Sequence, residues 1–203
     1  MNKTPTKKAA TAALIAFIAF AGPSMADTDK TTTPPTAEEL IKALDLDGHV
    51  EGGFFRRTFE ATDTPRIPTE GGDRFSMTSI FYLLTSGGPV GHFHMNRSDI
   101  VHYFHLGDPI EYFLIHPDGR LETLIMGPNP VEGQLLQMTV PGGIWKASRL
   151  QTGPIGYGLI SEAVSPGFDY ADMKLGKTSS LKAAFPQHAD LIDALSRENP
   201  DER

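Results

Sequence analysis

Histidine is the residue type best suited to chemistry in this chain, and four of its seven His lie within residues 87–107. His92 and His94 are two residues apart in a segment that predicts a β-strand, so we expect their side chains to share one face. Such a pair can hold a divalent metal ion or supply a general base near neutral pH. His102 can join the pair from the next strand, whereas His105 is expected on the opposite face.

Two further kinds of polar residue occupy positions where a buried strand would normally be apolar. Glu162 lies in the run LISEAV. An unpaired buried carboxylate is costly, so we expect Glu162 to meet Lys146, an arginine or a ligand. Arg56 and Arg57 follow a Gly-Gly turn, and strand alternation should direct one of them inward. Arg56 is the one we take as a ligand-binding candidate, with a surface ion pair as its alternative.

The elements that must position these residues are predicted to be short strands. Runs of β-branched and aromatic residues, each closed by Gly, Pro, Asn or Asp, recur at a spacing typical of a sandwich or barrel. Residues 62–74, with two Pro and two Gly, are predicted as a surface excursion. The predicted strands are Gly53–Phe59, Met77–Leu84, Gly91–His94, Ile100–His105, Ile110–His116, Leu121–Met126, Gln134–Val140, Ile144–Leu150 and Tyr157–Val164.

Helices are predicted only at the two ends of this strand region. Thr36 and Glu39 have the spacing of a capping box, which predicts a helix over Thr36–Leu46. Two more helices are predicted over Ser179–Phe185 and Gln187–Leu195. The chain is therefore expected to be all-β with a few short helices.

Composition excludes several classes of protein. The chain has 203 residues, 39% of them hydrophobic, and no Cys, which excludes disulfides, thiolate metal sites and a cysteine nucleophile. Its 20 Gly and 16 Pro favour a turn-rich β protein over a helical bundle. The net charge of −7 argues against nucleic acid or anionic membranes as partners.

The first residues are typical of a secretory signal rather than of a folded domain. Lysines precede an apolar run over residues 9–21, and Ser24-Met25-Ala26 has the small-x-small form of a cleavage site. The run is shorter than the roughly 20 residues that span a bilayer, so no membrane anchor is expected. We predict a signal peptide at 1–26, a flexible linker at 27–35, one domain at 36–195 and a tail at 196–203, located in the periplasm or secreted.

Several segments resemble the cupin superfamily. The stretch GHFHMNRSDIVHYFHLG and the later VPGGIWKA resemble its two motifs. The segments EGGFFRRTF, SIFYLLT, GDPIEYFLIHPDG, SPGFDYADMKLG and FPQH are more closely similar to one cupin family catalogued as a domain of unknown function. The resemblance implies a double-stranded β-helix, the cupin jelly-roll barrel, and a homodimer, with Trp145 in the core or the dimer interface.

The resemblance also shows where this chain departs from metal-binding cupins. Those proteins add a Glu on the next strand and a His after the Pro of the second motif, but the matching positions here hold Ile100 and Lys146. The Lys146 ammonium would repel a divalent cation. A metal ion held by His92, His94 and His102, with Asp99 as a possible substitute ligand, remains an alternative.

Three functions remain open for a small-molecule ligand in the barrel. The first is an epimerase-like or isomerase-like enzyme: cupins similar to sugar-nucleotide epimerases use a His base and a Tyr acid, which implies His94 as base and Glu162 or a tyrosine as its partner. Tyr103, taken first, and Tyr112 are the candidate tyrosines, and strand parity, which the sequence leaves open, decides which of them faces inward. The second is a metal-dependent dioxygenase or lyase, and the third is a binding protein without a reaction. In each case His92, His94, His102 and Glu162 are expected around one pocket with Lys146 near its rim.

Overall fold

Two antiparallel β-sheets form the body of the protein in the computed structural model, which describes residues 33–200. The strands of this part of the chain are β1 Asp47–Gly48, β2 Phe54–Glu60, β3 Ile67–Thr69, β4 Gly72–Arg74, β5 Thr78–Thr85, β6 Val90–Asn96, β7 Asp99–Gly107, β8 Ile110–Ile115, β9 Leu121–Met126, β10 Gln137–Val140, β11 Trp145–Leu150, β12 Tyr157–Ser165 and β13 Met173–Leu175. One sheet has the order β1-β2-β5-β12-β7-β10, the other β13-β6-β11-β8-β9, and β3 pairs with β4 as a hairpin. This is the jelly-roll architecture that the cupin resemblance implied.

The main core lies between the two sheets. Alternation along each strand supplies it, because every second side chain points inward. Buried residues of both sheets belong to one hydrophobic cluster, among them Tyr82, Leu84, Phe104, Tyr112, Leu114, Leu150 and Ile160. The candidate residues His94, His102, Lys146 and Glu162 lie on the strands β6, β7, β11 and β12, so strands rather than loops position them.

Three short helices cover the outside of the sheets: α1 Ala37–Ala43, α2 Thr178–Ala184 and α3 Ala189–Leu195. Thr36 and Glu39 form the predicted capping box at the start of α1. The apolar side chains of α2 and α3 pack with Phe93 and Phe113 on the outer face of the smaller sheet. Trp145 is partly buried against the same cluster.

All nine predicted strands are present, with ends that differ by a few residues. The strands that the sequence did not predict are the short β1, β3, β4 and β13. The hairpin β3–β4 lies in the predicted surface excursion and is held by ion pairs rather than by an apolar face. Arg74 at its end contacts Asp172 at 2.6 Å, and Glu70 at its tip pairs with Arg97.

The predicted tail does not begin as a free segment. The backbone of Arg197 forms a parallel β-bridge with that of Lys177, and Glu198 accepts hydrogen bonds from Ser179 at the start of α2. The predicted signal peptide and all but the last three residues of the predicted linker lie outside the described residues. Within residues 33–200, the helices are all too short to traverse a bilayer.

Candidate functional site

A narrow pocket opens between the sheets where polar side chains interrupt the core. The space that a water-sized sphere can occupy in it is about 30 Å³, room for about two water molecules or a very small ligand, and it is partly open to solvent. Its lining residues are His49, Glu51, Phe55, Arg57, Ile80, Asn96, Glu162, Val164 and Phe168. The pocket therefore combines aromatic walls with two carboxylates.

His94 lies behind this wall on β6 and is 4% exposed. Its Nδ1 lies 2.8 Å from the carbonyl oxygen of His92. A carbonyl oxygen only accepts, so Nδ1 carries the proton and a neutral ring keeps a lone pair on Nε2. Burial lowers the pKa of His94 to about 4, so the ring is neutral at pH 7. No hydrogen-bond partner of Nε2 is found among the described residues.

Glu51 faces this lone pair. Its Oε2 lies 3.3 Å from Nε2 of His94 and 3.5 Å from Nδ1 of His49. Burial would raise the pKa of Glu51, but His94, His49 and Lys146 together hold it below its usual value. Glu51 and the neutral His94 thus present two acceptors side by side, suited to receive a proton or a donor group.

The glycines after Glu51 explain how a carboxylate reaches this position. Gly52 has φ 103°, and a side chain there would collide with the carbonyl oxygen of Val90. The tight turn brings Glu51 against β6, where its carbonyl oxygen accepts from the His92 amide at 2.6 Å.

Lys146, His102 and Glu162 form a second buried group. Nζ of Lys146 lies 2.8 Å from Nε2 of His102 and 3.1 Å from Oε1 of Glu162, and the last two atoms are 3.0 Å apart. Burial and the Lys146 ammonium lower the pKa of His102. Burial acts against ionisation of Glu162, but Lys146 and His102 hold its pKa well below the usual value. A neutral His102 therefore accepts from the ammonium, as Glu162 does.

Tyr112 is the phenol that faces inward. It is 2% exposed, its ring packs edge-on to His102 with centroids 5.3 Å apart, and its hydroxyl has no partner within the described chain. Burial and the nearby Glu162 and Glu51 raise its pKa well above 10, so the phenol stays protonated. The hydroxyl of Tyr82 differs, because it donates to the carbonyl of Gly52 at 2.9 Å.

His92 and His94 do not share a face, contrary to the prediction. In the pairing of β11 with β6, Lys146 lies opposite His94 and Ser148 lies opposite Gly91. One residue of β11 therefore separates these two pairs, whereas two residues of β6 separate them. This β-bulge shifts the alternation by one residue. His92 lies against the backbone of Leu195 at the end of α3, so the predicted metal set of His92, His94 and His102 is not brought together.

Three other predicted placements are corrected. Tyr103 is 38% exposed on the outer face of β7, so it is not in the pocket. Arg56 points outward and donates to the carbonyl of Leu44, while its neighbour Arg57 lines the pocket. Lys146 is 3% exposed and lies deep in the barrel rather than at the rim.

Other placements agree with expectation. Glu162 lines the pocket, and behind it lie His102, at 3.0 Å from its carboxylate, and Lys146, at 3.1 Å. His105 lies on the opposite face of β7 from His102, beside Phe81. Asp99 is exposed and accepts from the amide of Gly142, away from the predicted ligand role.

Sequence reasoning missed Glu51, His49 and Asn96. The acidic residue directly before the Gly-Gly turn was a usable signal for Glu51, because such a turn forces a close approach of backbones. Asn96 lies two residues after His94, so regular alternation places it on the same inner face. His49 precedes the turn and offers no local pattern.

The inner residues do not fit a divalent metal ion. Within residues 33–200, no three His or carboxylate side chains are arranged to hold one. The Lys146 ammonium lies within hydrogen-bond distance of both His102 and Glu162, so a cation already occupies the space between those donors.

A jelly-roll barrel with a polar pocket between its sheets defines the class of cupins. The chain belongs to the cupin superfamily, in the family DUF985, whose model matches residues 38–176. It is 37% identical over 151 residues to the Saccharomyces cerevisiae protein YML079W, covering 68% of this chain and 74% of the yeast protein.

Two solved structures have the same fold at similar identity. One is a hypothetical protein from Leishmania major, with a TM-score of 0.76 and 33% identity, covering 81% of this chain and 100% of that one. The other is protein SO0799 from Shewanella oneidensis, with a TM-score of 0.74 and 35% identity, covering 81% and 99%.

Proposed function

We propose that this protein is a metal-independent enzyme that transfers a proton to or from a small molecule bound in the barrel. The observation that carries the proposal is the pairing of Glu51 with an Nε2 of His94 that is neutral, unprotonated and without a hydrogen bond among the described residues. A buried polar atom left unpaired costs about 1–3 kcal/mol. A ligand that fills the pocket recovers this cost.

His94 is the general base in this proposal. Its Nδ1–H is fixed by the carbonyl of His92, so the lone pair on Nε2 is held in one direction. When Nε2 takes a proton, the ring becomes positive beside the carboxylate of Glu51 at 3.3 Å. Glu51 thereby stabilises the imidazolium, which is the charge that develops during the reaction.

Tyr112 is the proton donor in this proposal. Its hydroxyl is buried and free to donate, and the raised pKa keeps it protonated at pH 7. Lys146, held by His102 and Glu162, adds positive charge that favours a developing oxyanion. Base, acid and cation together are suited to an isomerase-type or epimerase-type reaction, in which a proton leaves one carbon and returns.

Deuterium exchange tests this function without knowledge of the product. Small aldoses, hydroxy acids and amines would be incubated with the protein in D2O, and loss of each C–H signal would be followed by proton NMR. We expect exchange in one of these classes, and its loss in the variants His94→Gln and Tyr112→Phe. Absence of exchange in every class would overturn the proposal.

A further inference from the structure

The charged groups around the pocket do not balance. Glu162 is neutralised by the Lys146 ammonium at 3.1 Å. Glu51 has no comparable partner, since the groups nearest to its carboxylate are the imidazoles of His49 and His94. The inner pocket therefore holds one carboxylate more than it holds ammonium groups.

Two of the unpaired buried atoms near Glu51 are acceptors. The Nε2 lone pair of His94 and the Oδ1 of Asn96 are both buried and lack partners in the described part of the chain. Asn96 is 8% exposed and lines the same pocket as Glu51. Acceptors beside an uncompensated carboxylate favour a positively charged donor.

The cation at the pocket wall does not remove this requirement. Arg57 donates from Nη1 to Glu60 at 2.8 Å and lies 5.7 Å from the ring centroid of Phe168. Glu60 thus balances its charge. Its Nε has no partner among the residues described and can donate to an oxygen atom of a ligand.

We propose that the pocket binds a small molecule with a protonated amine, whose ammonium sits against the carboxylate of Glu51 and Oδ1 of Asn96 and leaves Nε2 of His94 free to take a proton. The aromatic walls of Phe55 and Phe168 suit such a cation, which is attracted to the faces of aromatic rings. An oxygen atom of the same molecule accepts from Arg57. This assignment rests on the proposed function for its pocket and names the substrate class that the pocket selects.

Three probes of similar size test the charge preference: ethanolamine, ethylene glycol and glycolate. Each would be titrated into the full-length protein at pH 7 and followed by protein NMR. Ethanolamine is expected to bind most tightly and glycolate most weakly. Tighter binding of glycolate or ethylene glycol, or no binding of ethanolamine, would overturn the proposal.

Matched variants locate the ammonium. Glu51→Gln keeps the shape of the side chain and removes its charge, so ethanolamine affinity should fall about tenfold or more. Glu132→Gln removes one exposed carboxylate away from the pocket and should leave the affinity unchanged. Equal losses in both variants would show a general charge effect and reject the site. Thermal unfolding of each variant confirms that it is folded.

The outcomes separate this proposal from the proposed function. Deuterium exchange in hydroxy acids, with glycolate bound tightly, would retain proton transfer and reject the amine. Tight ethanolamine binding without exchange in any class would retain the amine site and reject the enzyme.

Discussion

The neutral imidazole of His94 links the candidate site to the stability of the protein. Its pKa in the folded state is about 4, because burial disfavours the charged ring, whereas an unfolded His titrates near 6.5. Between these pH values the unfolded chain binds more protons than the folded chain. The free energy of unfolding should therefore rise with pH through this window and be fully present above it.

The variant His94→Gln measures this contribution. One group with such a shift accounts for about 3 kcal/mol between pH 4 and pH 6.5. Urea unfolding at pH 4.5 and at pH 7 should show a smaller difference in the variant than in the wild type. His102 remains in both proteins, so a residual slope is expected. An identical pH dependence in the two proteins would contradict the prediction.

Lys146 is a single residue that decides the metal chemistry of the barrel. A divalent ion about 4 Å from an ammonium is repelled by about 8 kcal/mol at an effective dielectric constant of about 20. We predict that Lys146→His, which replaces this charge with a ligand next to His102 and Glu162, binds Zn²⁺ at least about tenfold more tightly than the wild type does.

Calorimetric titration with Zn²⁺ checks the prediction. The control is Lys146→Met, which removes the ammonium but adds no His ligand, and which should bind Zn²⁺ more weakly than Lys146→His. Wild-type affinity equal to that of Lys146→His would show that the ammonium does not exclude the ion.

At the scale of elements, the bulge in β6 decides which histidine faces the interior of the barrel. The extra residue between Gly91 and His94 turns His92 toward α3, while the His92 amide bonds to the carbonyl of Glu51. The same irregularity therefore anchors the turn that carries Glu51. One local change in hydrogen bonding therefore positions both His94, the proposed base, and Glu51, its carboxylate partner.

We predict that His92→Ala preserves binding of ethanolamine and proton exchange within about twofold, because the backbone bond to Glu51 does not need the His92 side chain. His94→Gln should abolish exchange. Parallel NMR measurements on the two variants provide the comparison. Loss of exchange in His92→Ala to the level of His94→Gln would show that both rings act in the pocket.

At the scale of the whole molecule, dimer formation stays a prediction. The outer face of the larger sheet exposes Phe59 and Tyr103, at 47% and 38%. A second copy that covers this face would also protect the sheet from other pairing. Sedimentation velocity at micromolar concentration should show a dimer, and Tyr103→Glu should shift it toward monomer. A monomeric wild type would reject the prediction.

Much of this architecture was predictable from the sequence because its causes are local. Alternating apolar side chains and turn residues mark all nine long strands, and the Thr36–Glu39 spacing marks the start of α1. The hairpin β3–β4 was not predictable, because it is fixed by ion pairs to residues distant in the chain. Local sequence patterns do not indicate ion-pair partners that lie far away in the chain.

The sequence by itself determined the barrel, the short helices and the residue types available for chemistry, since near neighbours along the chain control these features. The tertiary structure decided which residues meet. Because of the bulge in β6, His92 faces away from the barrel interior. Strand parity places Tyr112 rather than Tyr103 inside, and the turn at Gly52 brings Glu51 next to His94. The physical reason is that a shift of one residue in register reverses the face of a side chain, and register depends on hydrogen bonds between strands far apart in sequence.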